Sequence, residues 1–262
     1  MPRRKASAET QKKILKAAAI EFSQKGFRDA TIAAICQRAG TNIASVNYHF
    51  GDKETLYVEA WREAFRHSHE LYPSDGGVPS TASPEERLRG WIMSMLGRIT
   101  NLECYEFEIF HREMANPTGL LDETIRLAIE PLHREVTDIL REILGPKATE
   151  EEIQLCEMSL RSQCMNPMIF DVRYRGMEGA PRHPFMPKPP LPKPPSLESS
   201  IEDIAEHIVC FALEGLRGVR RKIDMGEDAA VPRDLPDARP GRAVAPRARR
   251  AEEPSRREKR HV

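Results

Sequence analysis

T-I-A-A-I-C-Q-R-A-G-T-N-I-A-S-V-N-Y-H-F-G-D-K-E-T-L, residues 31–56, is the stretch that decides how this chain folds. Thr31 stands where a hydroxyl can accept from the free N–H groups of a first helical turn. Residues 32–39 then make a short helix that stops at Gly40, a residue that tolerates the positive φ of a tight corner. Asn42 caps a second short helix, 43–50, and Asp52 caps a longer one, 53–71. Ile35, Val46 and Phe50 fall on the inside of the corner as a seam. Two short helices joined through Gly40-Thr41-Asn42 have the spacing of a helix-turn-helix, in which the first helix braces the second.

A helix that reads DNA must expose short side chains with donors and acceptors near its ends. Ala44, Ser45, Asn47 and Tyr48 have that character, and Ile43 at the front can meet a thymine methyl. Thr31 at a helix N-terminus and Lys53 at the start of the next helix are placed for phosphate. Arg3, Arg4 and Lys5 form a flexible basic arm over residues 1–7 that adds salt-sensitive attraction. Charge agrees with this division. Residues 1–70 carry 12 Lys/Arg against 8 Asp/Glu, residues 71–225 carry 18 against 25, and residues 226–262 carry 10 against 7. A basic head on an acidic body fits a head that meets a polyanion.

Outward from the corner the pattern is helical. Ile14, Leu15, Ala18, Ala19 and Phe22 give residues 8–24 one apolar face, with Gly26 as its stop. Leu56, Val58, Ala60, Trp61, Ala64 and Phe65 do the same for 53–71. After the loop 73–84, Ser83 and Pro84 restart a helix as N-cap and first residue. Helices are expected over 84–101, 103–115, 118–129, 131–144 and 150–170, broken at Pro117, Pro131 and Pro146, with a Thr149/Glu152 capping box. Residues 176–197 are a proline-rich extended loop. A last helix, 199–222, carries Ile201, Ile204, Ala205, Ile208, Phe211, Ala212 and Leu216 on one face, and residues 224–262 read as a disordered basic tail. The fold class is therefore all-α. No apolar run reaches transmembrane length and the N-terminus has no signal-peptide core, so a cytoplasmic protein is expected. The five dispersed cysteines read as buried thiols rather than as a disulfide or metal set.

The head resembles a known family. A helix with an apolar face, then Gly26-Phe27, then T-I-A-x-I-x-x-x-A-G and x-Y-H-F-G-x-K-E-x-L, is similar to the N-terminal domain of TetR/AcrR-type transcriptional regulators. The agreement spans roughly residues 8–60 and many spaced positions, among them Ala17, Phe22, Thr31, Ile35, Ala39, Gly40, Tyr48, His49, Phe50, Lys53, Glu54 and Leu56. Many members carry a Tyr where this chain has Asn47, which leaves open whether Asn47 or Tyr48 meets a base. The resemblance implies an N-terminal three-helix DNA-binding domain over 8–55. It implies a larger helical ligand-binding and dimerisation domain over 56–223, similar to that of CecR-like regulators. It implies DNA contacts at Thr31, Ala33, Ile43, Ala44, Ser45, Asn47, Tyr48, His49 and Lys53, an inverted-repeat operator, a homodimer, a small-molecule effector and no cofactor. The dimer would be built from helices 150–170 and 199–222, through residues such as Ile153, Met158, Leu160, Met165, Ile169, Ile204, Ile208, Phe211 and Leu216; plain core accounts for each of these singly just as well.

Pocket candidates among helices 84–144 are Trp91, Met95, Tyr105, Phe107, Phe110, Met114 and Leu132, although such residues at helical spacing are more often core. A second class competes. E108-I-F-H111 and E130-P-L-H133 repeat the Glu-x-x-His spacing with which a helical bundle holds a di-iron centre. Against it, Pro131 puts Glu130 at a helix start rather than in a bundle wall. No nucleophile elbow, P-loop or dinucleotide fingerprint is present, so no catalytic centre is expected.

Overall fold

The computed structural model describes residues 2–175 and 200–226, with side chains placed over residues 6–165 and 200–226. Among the described residues there are nine helices and no strand, all-α as the periodicity predicts but with two of its ten expected helices merged: α1 (Pro2–Asp29), α2 (Ile32–Ala39), α3 (Ile43–Phe50), α4 (Lys53–Leu71), α5 (Pro84–Thr100), α6 (Glu106–Ala115), α7 (Asp122–Leu144), α8 (Glu150–Arg175) and α9 (Ile201–Met225). None of them is long and apolar enough to cross a membrane. The proline-rich stretch 176–197 and the tail beyond 226 lie outside the described residues.

Caps set most of the boundaries. Ser83 and Glu86 close a full capping box at α5, and Thr149 and Glu152 close one before α8. Ser200 and Asp203 do the same for α9. Each box satisfies two backbone donors that a helix start would otherwise leave to water.

Four expectations are corrected. The first helix is longer than 8–24: the backbone is helical from Pro2, and α1 runs to Asp29 with a kink at Gly26, whose φ of 76° is left-handed. The 103–115 helix begins only at Glu106, because Asn101 first folds the chain into a turn by accepting from Cys104 N and Glu103 N. The 118–129 helix begins at Asp122, because the Glu113 carboxylate holds Thr118 N, Thr118 Oγ1 and Gly119 N in a loop. Pro131 does not break the chain into two helices; it lies inside α7. A proline there forfeits one hydrogen bond and costs about 3 kcal/mol. The two halves of α7 are pinned separately, however. Leu121, Ile125 and Ala128 pack on one apolar core, and Val136, Ile139, Leu140 and Ile143 on another. Fully burying a side chain such as Val136 or Leu140 contributes about 1.5–3 kcal/mol, and Pro131 and Leu127, whose carbonyl it leaves without a helical donor, are both exposed.

The first core gathers Ile14, Ala18, Phe22, Ile35, Val46, Phe50, Leu56, Tyr57, Ala60 and Trp61 from α1–α4, together with Ile109 and Leu121. The second is built from α5, α7, α8 and α9 around Leu88, Trp91, Ile92, Leu96, Leu140, Ile153, Leu160, Ile208 and Leu216. A polar seam joins α4, α5 and α6. Ser68 Oγ donates to the Glu106 carboxylate. Arg98 meets His69 Nε2 at 2.7 Å, and His69 Nδ1 lies 2.8 Å from the Phe65 carbonyl. Burial pushes the Glu106 carboxyl up to about 7. Burial, with Arg98 adding to it, pushes the His69 imidazole down to about 4.

These two shifts oppose each other. Glu106 has a raised folded value, so its stabilising contribution is complete below the unfolded value of 4.5 and is lost as pH rises through about 7. His69 has a depressed value, so its contribution is complete above 6.5 and is lost as pH falls through about 4. Glu106→Gln removes only the first. Its stability relative to the parent protein, measured by urea unfolding, should climb by on the order of 3 kcal/mol between about pH 4.5 and pH 7.5. A flat difference would place the titration elsewhere.

Candidate functional site

The corner is built from local chemistry. Thr31 Oγ1 accepts from Ala34 N at 3.2 Å and opens α2. Gly40 closes it with φ 63° and ψ 39°, and Thr41 N reaches back to Cys36 O at 3.0 Å. A Cβ at Gly40 would meet nothing within 4 Å, so the left-handed backbone, not crowding, calls for glycine there. Asn42 Oδ1 then accepts from Ser45 N at 2.9 Å and from Ser45 Oγ at 3.1 Å. Ile35, Val46 and Phe50 are buried as the seam. Arg38 on α2 donates twice to Glu21 on α1, at 3.1 and 2.8 Å, and clamps the corner onto the longer helix.

What is left outside is unusual. Tyr48 is 82% exposed and Ile43 53% exposed, on a helix of eight residues. Thr31, Ala33, Ala44 and Asn47 are exposed beside them, while Ser45 and His49 are half-buried. No acid occurs from Ala30 to Gly51. The face is therefore apolar and hydrogen-bonding without negative charge, and it carries the N-terminal dipoles of α2 and α3. Lys53 flanks it with its ammonium 4.6 Å from the centre of the Phe27 ring and 3.4 Å from Arg28 O. Eight of the nine sequence-derived contact residues thus lie on two short helices and one cap, and the ninth stands at the start of α4.

The body divides differently from expectation. Trp91 and Met95 are fully enclosed in the second core, Tyr105 packs on the first and Phe107 on the second, and Met114 is 67% exposed. None of the seven pocket candidates lines either of two concavities. The larger, of about 620 Å3, lies between α6, α7 and α8 and is walled by His111, Ile129, His133, Glu157, Met158 and Arg161, with neighbours from α8. The smaller, of about 260 Å3, is lined by Trp61, Phe65, Thr124 and Leu127 with their neighbours. The Glu-x-x-His motifs had marked His111 and His133, and these do share one concavity. Glu130 does not join them; it is engaged by Arg126 and Arg134. Among the described residues no group of three or more His, Cys, Asp or Glu is arranged to hold a metal ion, so the di-iron alternative finds no support. Glu157 and Arg161, spaced i, i+4, were missed; a carboxylate and a guanidinium at that spacing look like any solvated pair until burial is known.

The α8 and α9 surface sorts the interface candidates. Ile153, Leu160, Ile208 and Leu216 are core. Met158, Leu155 and Phe211 are left 59%, 51% and 63% exposed. Ile169 lies beyond the described side chains. Cys36, Cys104 and Cys164 are buried as expected of thiols, but Cys210 is exposed.

Residues 14–60 match the family model for bacterial regulatory proteins of the tetR family, and residues 84–181 match the C-terminal domain of the HTH-type transcriptional dual regulator CecR. The chain is 26% identical over 159 residues to CecR of Shigella flexneri, across 56% of this chain and 70% of that protein. It is 30% identical over 125 residues to the HTH-type transcriptional repressor KstR2 of Mycobacterium tuberculosis, across 48% of this chain and 56% of that one. A putative transcriptional regulator from Pseudomonas aeruginosa PAO1 has the same fold, with a TM-score of 0.58 at 14% identity over 84% of this chain and 94% of that one. So does a TetR-like regulator from Rhodococcus sp. RHA1, with a TM-score of 0.57 at 18% identity over 80% and 96%.

Because α3 is too short to hold itself, its cap should matter. Asn42→Ala should lower unfolding stability by about 1 kcal/mol, measured by urea denaturation, and leave the seam intact by tryptophan fluorescence. An unchanged midpoint would mean that the seam alone sets the corner.

Proposed function

We propose that the chain is a TetR-family DNA-binding transcriptional regulator that grips double-stranded operator DNA as a homodimer and lets go when a small-molecule effector binds its body. The observation that carries the reading is the outer face of α2 and α3: Tyr48 and Ile43 held in water, with no acid for 22 residues around them. Apolar side chains gathered on one exposed face mark an interaction surface. On DNA they meet base edges, thymine methyls and sugar–phosphate in a major groove.

The residues take roles by position. Ile43, Ala44, Ser45 and Asn47 face the bases from the front of α3. Tyr48 and His49 stand at its rear, where ring and imidazole reach backbone or base. Thr31 and Ala33 at the start of α2, and Lys53 at the start of α4, hold phosphate. No Arg or Gln stands on α3, so direct readout is modest and groove shape carries part of the specificity. Two reading helices must lie one turn of DNA apart, about 34–36 Å, which calls for a two-fold dimer and an inverted repeat. The exposed Phe211 on α9 and Leu155 on α8 leave apolar side chains for it.

The effector acts by linkage. A molecule that binds better to a pair with misplaced reading helices weakens DNA binding, and DNA weakens its binding equally, typically by about 1–3 kcal/mol. The protein works by binding rather than by catalysis, in the cytoplasm, where operators are. Repression is the default sign, drawn from KstR2, which is named a repressor; CecR is named a dual regulator.

Selection of random duplexes by the purified protein should recover an inverted repeat with steep salt dependence. No enrichment at low salt would overturn the reading. On the recovered operator, Tyr48→Ala should abolish specific binding and leave the dimer intact by light scattering. Lys53→Ala should weaken all duplexes alike and flatten the salt slope by about one unit. Phe211→Glu should shift the protein to a monomer and lose operator affinity with it; a dimer unaffected by that charge would move the interface off α9.

A further inference from the structure

The concavity between α6, α7 and α8 has a chemistry of its own. Glu157 on α8 has a side chain only 7% exposed and takes two donors. His133 Nδ1 lies 2.7 Å from its carboxylate, and Arg161 Nε donates to it at 2.7 Å. Facing a carboxylate, His133 Nδ1 must carry its proton, which leaves Nε2 as the ring nitrogen open to a ligand. His111 on α6 is oriented in the same way, with Nδ1 2.7 Å from the Phe107 carbonyl. Arg161 uses one corner of its guanidinium fork, and its two terminal nitrogens have no protein partner among the described residues. The single acid on the wall is thus neutralised from behind, and the groups presented forward are one guanidinium and two imidazole nitrogens. The rest of the lining is Ile129, Met158 and Met165, apolar and in the methionines adaptable. About 620 Å3 falls within the roughly 300–1,000 Å3 of small-molecule sites.

We propose that this concavity binds an amphipathic organic carboxylate, with the acid on the Arg161 fork and the apolar body along Ile129, Met158 and Met165. The inference rests on the reading of the chain as a ligand-responsive regulator and gives its effector a chemical class. Glu157 is a positioning residue: it orients the His133 ring and the Arg161 guanidinium and, by engaging only Arg161 Nε, leaves the two terminal nitrogens able to take a bidentate carboxylate.

The test uses the full chain and two probes, octanoate and 4-phenylbutyrate, against their primary amides, by titration calorimetry. The acids should bind at least about tenfold more tightly than the amides, a difference of about 1.4 kcal/mol. Arg161→Gln should erase that preference. Ser162→Trp, a change at an exposed position on the rim, should block acids and amides alike while keeping the parent melting temperature, and it serves if Arg161→Gln unfolds. Equal affinity for acid and amide, no binding of either acid up to about 5 mM, or acid binding untouched by both substitutions overturns the proposal. The regulator reading fails separately. Operator binding with no carboxylate binding removes the groove ligand alone. Carboxylate binding by a protein that selects no duplex removes the regulator alone.

Discussion

Two aromatic side chains on α4 cannot be buried without partners for their polar tips, and both partners stand on α6. Tyr57 and Trp61 are 1% and 2% exposed. Tyr57 Oη donates to Glu113 at 3.0 Å, and Trp61 Nε1 donates to the Glu106 carbonyl at 3.3 Å. A buried hydroxyl or indole left unpaired costs about 1–3 kcal/mol, so α6 has to dock where these groups point. Once docked, it brings Ile109 into the core of the head, and Arg112 donates to Ser23 O on α1. The head and the body that holds the concavity are therefore packed together in part through α6, beside the α4–α5 seam and α7. Helix α6 packs on α1 and α4, the two helices on which α2 and α3 rest.

Helix α3 has little stability of its own. Eight residues are far below the length at which a helix persists in water. It is held by the Asn42 cap at one end and by Val46 and Phe50 driven into the corner. That division has a functional consequence. Everything that stabilises α3 lies on its inner side or its ends, so the outer side is left free for Ile43, Asn47 and Tyr48. The same logic explains the clamp from Arg38 to Glu21, which ties α2 rather than α3 to α1.

The body carries many ion pairs, and most contribute little. Arg126, Arg134, Arg141 and Arg217 pair with acids one helical turn away on the surface, where a pair is worth about 0–1 kcal/mol. Glu157 is the exception because it is nearly buried. A carboxylate removed from water needs its partners, and that need fixes the orientation of His133 and Arg161 in a way no surface pair would.

Sequence alone determined the helical class, the corner and its caps, because these depend on neighbours within four residues. Thr31, Gly40, Asn42 and Asp52 act through their own backbone surroundings, and α2, α3 and α4 run between the residues their signals mark. The seam of Ile35, Val46 and Phe50 was legible for the same reason. Elsewhere local signals competed with contacts distant in the chain. Pro131 reads as a break, yet two separate cores hold α7 straight through it. Trp91 and Met95 look like pocket residues, yet α5 turns them into the second core. His111 and His133 read as metal ligands, and only the fold put Glu157 and Arg161 beside them in place of Glu130. Which apolar face is core and which is left for a partner, as with Leu216 against Phe211, is decided by what other helices cover. Periodicity states that a face is apolar, but burial depends on the tertiary neighbour that meets it.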